Sequence, residues 1–292
     1  MNITINAAAK INLYLDITKK RENGYHDIKG IMHKISLADK VSVEMLEATE
    51  NEICLSCSVA SIPLGIENIA YRAAEMYLEC FARRCYKVNI HIEKNIPAAG
   101  GLAGGSTDAA AVLRAMQTLV GDECDIEPLI NKSATLGADV PFCLVQGTMI
   151  TEGIGDILTP CASFEGYAVL ICNTAESVST PEAYGMLDRI YNNFVDAHFD
   201  EERFDRLIIA IEENDISTLS DSMFNIFEEA VLSKCPLASE AKQIMLQHNA
   251  VAAMMSGSGS TIFGIYRNAD AASEALDILS SKGYTVAVCD FV

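Results

Sequence analysis

The 292-residue chain carries 21 Lys and Arg against 40 Asp and Glu, a formal net charge of −19, and half of its residues are apolar. A chain of this length buries roughly 75% of its extended surface on folding, which excludes a disordered segment or a small disulfide scaffold. So negative a chain, whose longest basic run is Lys19-Lys20-Arg21, repels nucleic acid and anionic membranes alike.

No apolar run approaches the ~18 residues of a membrane span, and the first residues lack a signal pattern, so a soluble, cytoplasmic protein is expected. Ten cysteines scatter through mostly apolar segments, which suits a reducing compartment. The pair Cys54-Leu-Ser-Cys57 lies in a short extended run, where residues three apart face opposite sides, and no metal site is expected there.

Alternation of period two predicts a strand over residues 3–18, and Gly24 marks a turn. Two more strands are predicted over 28–35 and 40–46. A helix follows over 67–84, where Ile69, Ala73, Leu78 and Phe81 recur at near-helical spacing, and then a strand over 88–93. Residues 96–105 form a glycine-rich loop. Ser106-Thr107-Asp108 reads as an N-cap cluster for a helix over 109–120 that stops at Gly121. A short apolar segment over 140–146 and a strand over 147–152 close a first domain, 1–160.

The second domain, 161–292, opens with a buried-strand run at 167–172. The stretch 196–215 holds eight acids against two arginines, a solvated acidic face. Helix (237–248), strand, glycine turn and strand (251–266), helix (270–282) and strand (285–291) complete it, and the alternation indicates an α+β fold.

A loop with glycines at 100, 101, 104 and 105 before a helix offers backbone N–H groups and partial positive charge to a phosphate. It equally suits a tight turn that packs strand against helix. No two of these glycines are two apart, which argues against dinucleotide binding. The P-loop spacing is present, but Ser106 stands where the phosphate-gripping lysine belongs. Three further features accompany the loop: Asp139 bracketed by small and apolar residues in Leu136-Gly-Ala-Asp-Val-Pro-Phe142, Lys10 beside an apolar strand, and a second glycine turn in Met255-Ser-Gly-Ser-Gly-Ser-Thr261.

Taken in order, the Lys10 strand, Pro97 to Ala110 and Met255-Ser-Gly-Ser-Gly259 resemble the three motifs of the GHMP kinase superfamily. Ala9-Lys-Ile-Asn-Leu13, Arg21-Glu-Asn-Gly-Tyr-His26, Glu67-Asn68, Leu136 to Pro141 and Glu152-Gly-Ile-Gly155 narrow the resemblance to members whose acceptor carries a cytidine diphosphate. The resemblance implies a two-domain fold: an N-terminal domain with a strand–loop–helix phosphate site, a smaller C-terminal α/β sandwich, and the active site in the interdomain cleft. It also implies ATP with Mg2+, a small-molecule acceptor of the non-mevalonate isoprenoid route, and a monomer or weak homodimer.

Matched position by position, Asp139 is implied as the base and Lys10 as its positioning partner. Pro97, Ala98, Ala99, Gly100, Gly101, Leu102, Ala103, Gly104, Gly105, Ser106 and Thr107 are implied to wrap the ATP phosphates, with Asn68 and Lys94 at the nucleoside end. Tyr25 is implied to stack on cytosine and His26 to bond its edge. Asn12, Thr180 and Tyr184 complete the acceptor side. Ala99 and Ala103 stand where many members have Gly, a departure costing about 1 kcal/mol or more wherever φ is positive. Asp108, at the start of the phosphate helix, is expected to face solvent or magnesium. The same chemistry on mevalonate, homoserine or a sugar would give no reason for Tyr25-His26. A non-catalytic binding protein would be expected to have lost Lys10, Asp139 or the loop.

Overall fold

The computed structural model describes residues 1–98, 100–121, 126–194 and 199–292. The period-two alternation extends further than the sequence pattern marks, giving strands β1 (Asn2–Lys20) and β2 (His26–Glu47). Thus the strands expected at 28–35 and 40–46 are one, because 36–39 continue the extended backbone between them. Then come β3 (Glu52–Cys57), α1 (Ile69–Cys80), β4 (Tyr86–Glu93), α2 (Gly104–Val120), α3 (Glu127–Ser133), α4 (Val140–Leu144), β5 (Thr148–Glu152) and β6 (Ile157–Cys161). The remainder is β7 (Ala168–Asn173), α5 (Thr180–Ile190), α6 (Glu201–Glu212), α7 (Ile216–Ser222), β8 (Phe224–Asn225), α8 (Phe227–Val231), α9 (Pro236–Gln247), β9 (Ala252–Met255), β10 (Ile262–Tyr266), α10 (Ala269–Ser281) and β11 (Thr285–Asp290).

The described residues fold as two compact units that interleave along the sequence: Met1–Ala9, Ala38–Ala98 and Ala103–Gln146 make the first, and the rest make the second. In the first, β4 pairs antiparallel with the later half of β2 and parallel with β3. Val41, Val43, Val88, Ile90 and Ile92 alternate into the core, where α1 packs along α2 and α2 along α4. Along β3 exposure alternates, so Cys54 is exposed and Cys57 turns inward.

In the second unit β11, β7, β10 and β9 form an antiparallel sheet, with α9 and α10 packed on it. Leu170, Cys172, Ile262, Met245, Ala275 and Leu279 are among the buried residues between them. Here β8 pairs parallel with β1 at Tyr14 and Leu15, while β5 pairs with β2 at Gly30–Met32.

The start of α2 corrects the sequence expectation. The helix begins at Gly104, so Ser106, Thr107 and Asp108 lie inside it, and the preceding Ala103 is left-handed (φ 59°) with no side-chain cap. Side-chain capping rules placed the boundary where hydroxyl and carboxyl groups cluster, but the backbone turns one loop earlier.

Candidate active site

In the second unit the two glycine turns meet. Lys10 and Asn12 are two residues apart on β1 and therefore share a face. The Lys10 ammonium donates to Asn12 Oδ1 (2.7 Å) and to the Gly101 carbonyl (3.0 Å). Ser256 Oγ donates to the same carbonyl (2.9 Å), and the Lys10 amide donates to the Leu102 carbonyl. Both Lys10 and Asn12 are buried, and Asn12 Nδ2 finds no acceptor among the described residues. A buried amide donor without an acceptor carries the cost of lost hydration, which a ligand oxygen would relieve.

Glycine is obligatory at this junction for two reasons. Gly101 is at φ +75°, and a Cβ there would lie 2.0 Å from the Ser256 carbonyl oxygen. A Cβ on Gly100 would meet Thr261 Oγ1, a hydroxyl that accepts from Asn173 Nδ2. Asn225, buried in β8, secures the second turn: its Nδ2 donates to the Met255 and Gly257 carbonyls, and its Oδ1 accepts from the Phe227 amide. Sequence reasoning missed Asn225, because an isolated Asn between apolar residues carries no motif.

The acceptor-side candidates in this unit form a separate cluster. The Arg21–Tyr25 turn leaves Tyr25 61% exposed, while His26, at the start of β2, is buried. The Tyr184 ring stacks on His26 (centroids 4.7 Å, 24°), and Asp188 Oδ1 lies 2.8 Å from His26 Nε2. Thr180, at the start of α5, pairs with Ser258 Oγ of the second glycine turn at 2.9 Å. Asp188 was also missed, although it stands four residues after Tyr184 on α5 and so shares its helix face.

The first unit holds the other candidates. Asp139 heads α4, half-buried, and its carboxyl does not cap that helix. Thr107 is buried in α2 and donates to the Ala8 carbonyl. Gly104, Gly105 and Ser106 make the first turn of α2, where N–H groups lack intrahelical partners. Gly105 abuts Ile69, so a side chain there would press on α1. Pro97 and Ala98 precede this turn, Pro97 half-buried and Ala98 exposed; Ala99 lies outside the described residues.

Asn68 and Lys94 are engaged within the unit. Asn68 caps α1 by accepting from the Ala70 amide and donates to the Pro63 carbonyl. The Lys94 ammonium, only 8% exposed, bonds Asp39 and Asp108. Burial opposes its charge, but the Asp108 and Asp39 carboxylates outweigh that and hold its pKa above the usual lysine range. Asp39 also accepts from the Asn95 and Ile96 amides, which fixes the entry to the glycine loop. Asp108 therefore faces the interior rather than solvent: burial pushes its carboxyl up to about 7 against the pull of Lys94. The positive φ of Ala103 means that the cost of alanine for glycine applies at that position.

Known proteins match over nearly the whole chain. The GHMP kinases N terminal domain matches residues 68–147, and the GHMP kinases C terminal domain matches 207–285. The chain is 41% identical over 278 residues to 4-diphosphocytidyl-2-C-methyl-D-erythritol kinase of Alkaliphilus metalliredigens, covering 95% of this chain and 92% of that protein. It is 40% identical to the protein of that name from Caldicellulosiruptor saccharolyticus, with 94% and 92% covered. A crystal structure of 4-(cytidine 5'-diphospho)-2C-methyl-D-erythritol kinase superposes with TM-score 0.79 at 30% identity, covering 99% of each chain. Homoserine kinase from Cytophaga hutchinsonii shares the fold, with TM-score 0.77 at 17% identity and 100% and 94% covered.

Proposed function

The chain belongs to the GHMP kinases, within the 4-diphosphocytidyl-2-C-methyl-D-erythritol kinase family, and from that membership we propose that it transfers the γ-phosphoryl group of ATP to the 2-hydroxyl of 4-diphosphocytidyl-2-C-methyl-D-erythritol. It is an ATP-dependent small-molecule kinase. The observation that carries the assignment of roles is the Lys10–Asn12 pair, an ammonium and an amide donor with no acceptor among the described residues, held against the Gly101 turn.

In-line phosphoryl transfer requires an aligned nucleophile and positive charge near the migrating group, with little covalent work for the protein. Asp139 takes the proton of the acceptor hydroxyl, the freed oxygen attacks the γ-phosphorus, and ADP leaves. Lys10 supplies positive charge and, with Asn12 Nδ2, orients the acceptor oxygen. The uncapped first turn of α2, Gly104 to Ser106, suits the phosphates because its N–H groups lie at the positive end of a 17-residue helix. Thr107, bonded to Ala8, and the Gly100–Leu102 turn fix the loop backbone.

Asn68 and Lys94 act from behind the nucleotide site, one by capping α1 and the other by anchoring Asp39 and Asp108. Bound with ATP, magnesium would offset the phosphate charge, and Ser106, in the first turn of α2, would offer it a hydroxyl oxygen. On the acceptor side Tyr25 and Tyr184 provide aromatic faces for the cytosine, His26 reads its edge, and Thr180 borders the same cluster. The nine described cysteines are all free thiols, which supports a cytoplasmic setting.

The test is ADP release with magnesium-ATP and the cytidyl diphosphomethylerythritol acceptor, beside mevalonate, homoserine and galactose. Turnover on the cytidyl acceptor alone is expected. Turnover on a control instead would overturn the acceptor assignment while leaving the kinase assignment in place.

A further inference from the structure

His26 is held on three sides by residues that a hydrogen-bonding ring in a mobile loop would not need. Tyr184 stacks on its face, Phe194 meets it edge-on (5.6 Å, 78°), and Asp188 Oδ1 bonds Nε2 at 2.8 Å. The other Asp188 oxygen accepts from Lys20 Nζ at 2.7 Å, and Lys20 also reaches Asn193 Oδ1. Burial works against the Asp188 carboxylate, but the hydrogen bonds from Lys20 and His26 outweigh it and hold its pKa below the usual carboxylate range.

An ionised carboxylate only accepts hydrogen bonds, so the proton of the neutral imidazole sits on Nε2 and Nδ1 keeps a lone pair. We propose that Asp188 is a positioning residue that fixes the His26 tautomer, and that this makes the acceptor site select a base bearing an exocyclic amine over one bearing a carbonyl at the same position. An Nδ1 lone pair accepts from the amine of cytosine and faces the carbonyl of uracil with no proton between them. The inference rests on the reading of His26 as the residue that meets the base edge, and Asp188 acts through it.

Two measurements on the full chain decide the matter. Nitrogen NMR of ring-labelled histidines, with the His26 signal assigned by its loss in His26→Gln, is expected to place the proton on Nε2 in the unmodified protein. A proton on Nδ1 overturns the proposal without reliance on any variant of Asp188. In kinetics, the ratio of kcat/KM for the cytidyl acceptor over its uridyl analogue is expected to fall about 10- to 100-fold in Asp188→Ala, the cost of an unmatched buried hydrogen bond. The KM for ATP should stay within about twofold of the original. Asp188→Asn, whose amide oxygen can still accept from Nε2, should retain most of the ratio, a rescue that a packing role would not give. An unchanged ratio in folded Asp188→Ala overturns the proposal. If the unmodified protein turns over neither acceptor, the functional reading falls, and the ring-nitrogen shifts still decide the tautomer.

Discussion

Lys10 and Asn12 are joined by a 2.7 Å hydrogen bond that uses the Asn12 oxygen and leaves its buried Nδ2 with no acceptor among the described residues. Within the proposed mechanism that amide is a donor waiting for the acceptor's oxygen. Asn12→Leu should lower kcat/KM for the acceptor about 10- to 100-fold, the range for one buried hydrogen bond, and change the KM for ATP little. Steady-state kinetics with each substrate varied in turn gives the split, and equal effects on both substrates would remove Asn12 from the acceptor site.

Asp139→Asn keeps the shape of the side chain and removes its basicity. Turnover should drop ~10²- to 10⁴-fold, the usual contribution of a general base, while calorimetric titration finds ATP and acceptor bound about as before. Turnover close to that of the unmodified enzyme would assign the proton transfer to another group.

Gly101 and Gly121 separate two reasons for glycine. Both have positive φ, but a Cβ on Gly101 would collide with the Ser256 carbonyl, whereas among the described residues nothing lies within 4 Å of one on Gly121. Gly121→Ala should cost only the left-handed backbone penalty of about 1–2 kcal/mol in urea denaturation, with activity kept. Gly101→Ala should displace the Lys10 contact and abolish measurable activity even where the protein remains folded by circular dichroism.

Lys94 stands between two buried carboxylates. Lys94→Met leaves both without their cation and should destabilise the protein by about 3–5 kcal/mol, seen as a lower urea midpoint with an unchanged slope. A change below about 0.5 kcal/mol would mean that the cluster is solvated in solution.

His33 should make stability depend on pH. It is fully buried, its Nδ1 donates to the Lys34 carbonyl and its Nε2 accepts from the Phe164 amide, so both nitrogens are committed to the neutral ring. Burial lowers its pKa from the ordinary 6.5. A group with a depressed folded pKa gives its full contribution above the unfolded value, so stability should be lost as pH falls below about 6.5. The buried Asp16, raised to about 6 by burial, works in the opposite direction, so the comparison is with His33→Gln at each pH. The loss of stability between about pH 7.5 and 5.5 should be smaller in the variant, by urea denaturation; equal losses would contradict the neutral assignment.

The strands were legible in the sequence because alternation is a property of single residues: the strand expected over 88–93 is β4, which begins two residues earlier at Tyr86. The backbone shape of the candidate site was legible where a glycine motif imposes it, as at Gly101, whose positive φ and close approach to Ser256 leave no other residue. What escaped were single polar residues whose partners lie far along the chain. Asp39 sits mid-strand with the periodicity of any other residue, and only its pairing with Lys94, 55 positions away, makes it the anchor of the loop entry. Lys94 shows the reverse: its position suggested a ligand contact, while its charge is held by carboxylates that no local pattern links to it.

The contact between Gly101 and Ser256 spans 155 positions in the chain. Closure over such a distance is among the slower events in folding, since the loop entropy is lost before the contact repays it. On a ribosome adding about 5–20 residues per second, Gly101 waits roughly 8–30 s for its partner to be made. During that interval Lys10 and the first glycine turn come to exist, but the Ser256 hydroxyl that shares the Gly101 carbonyl with Lys10 does not. The junction of the two glycine turns is thus completed in one late step, when the last turn docks, rather than by degrees as the motifs are synthesised.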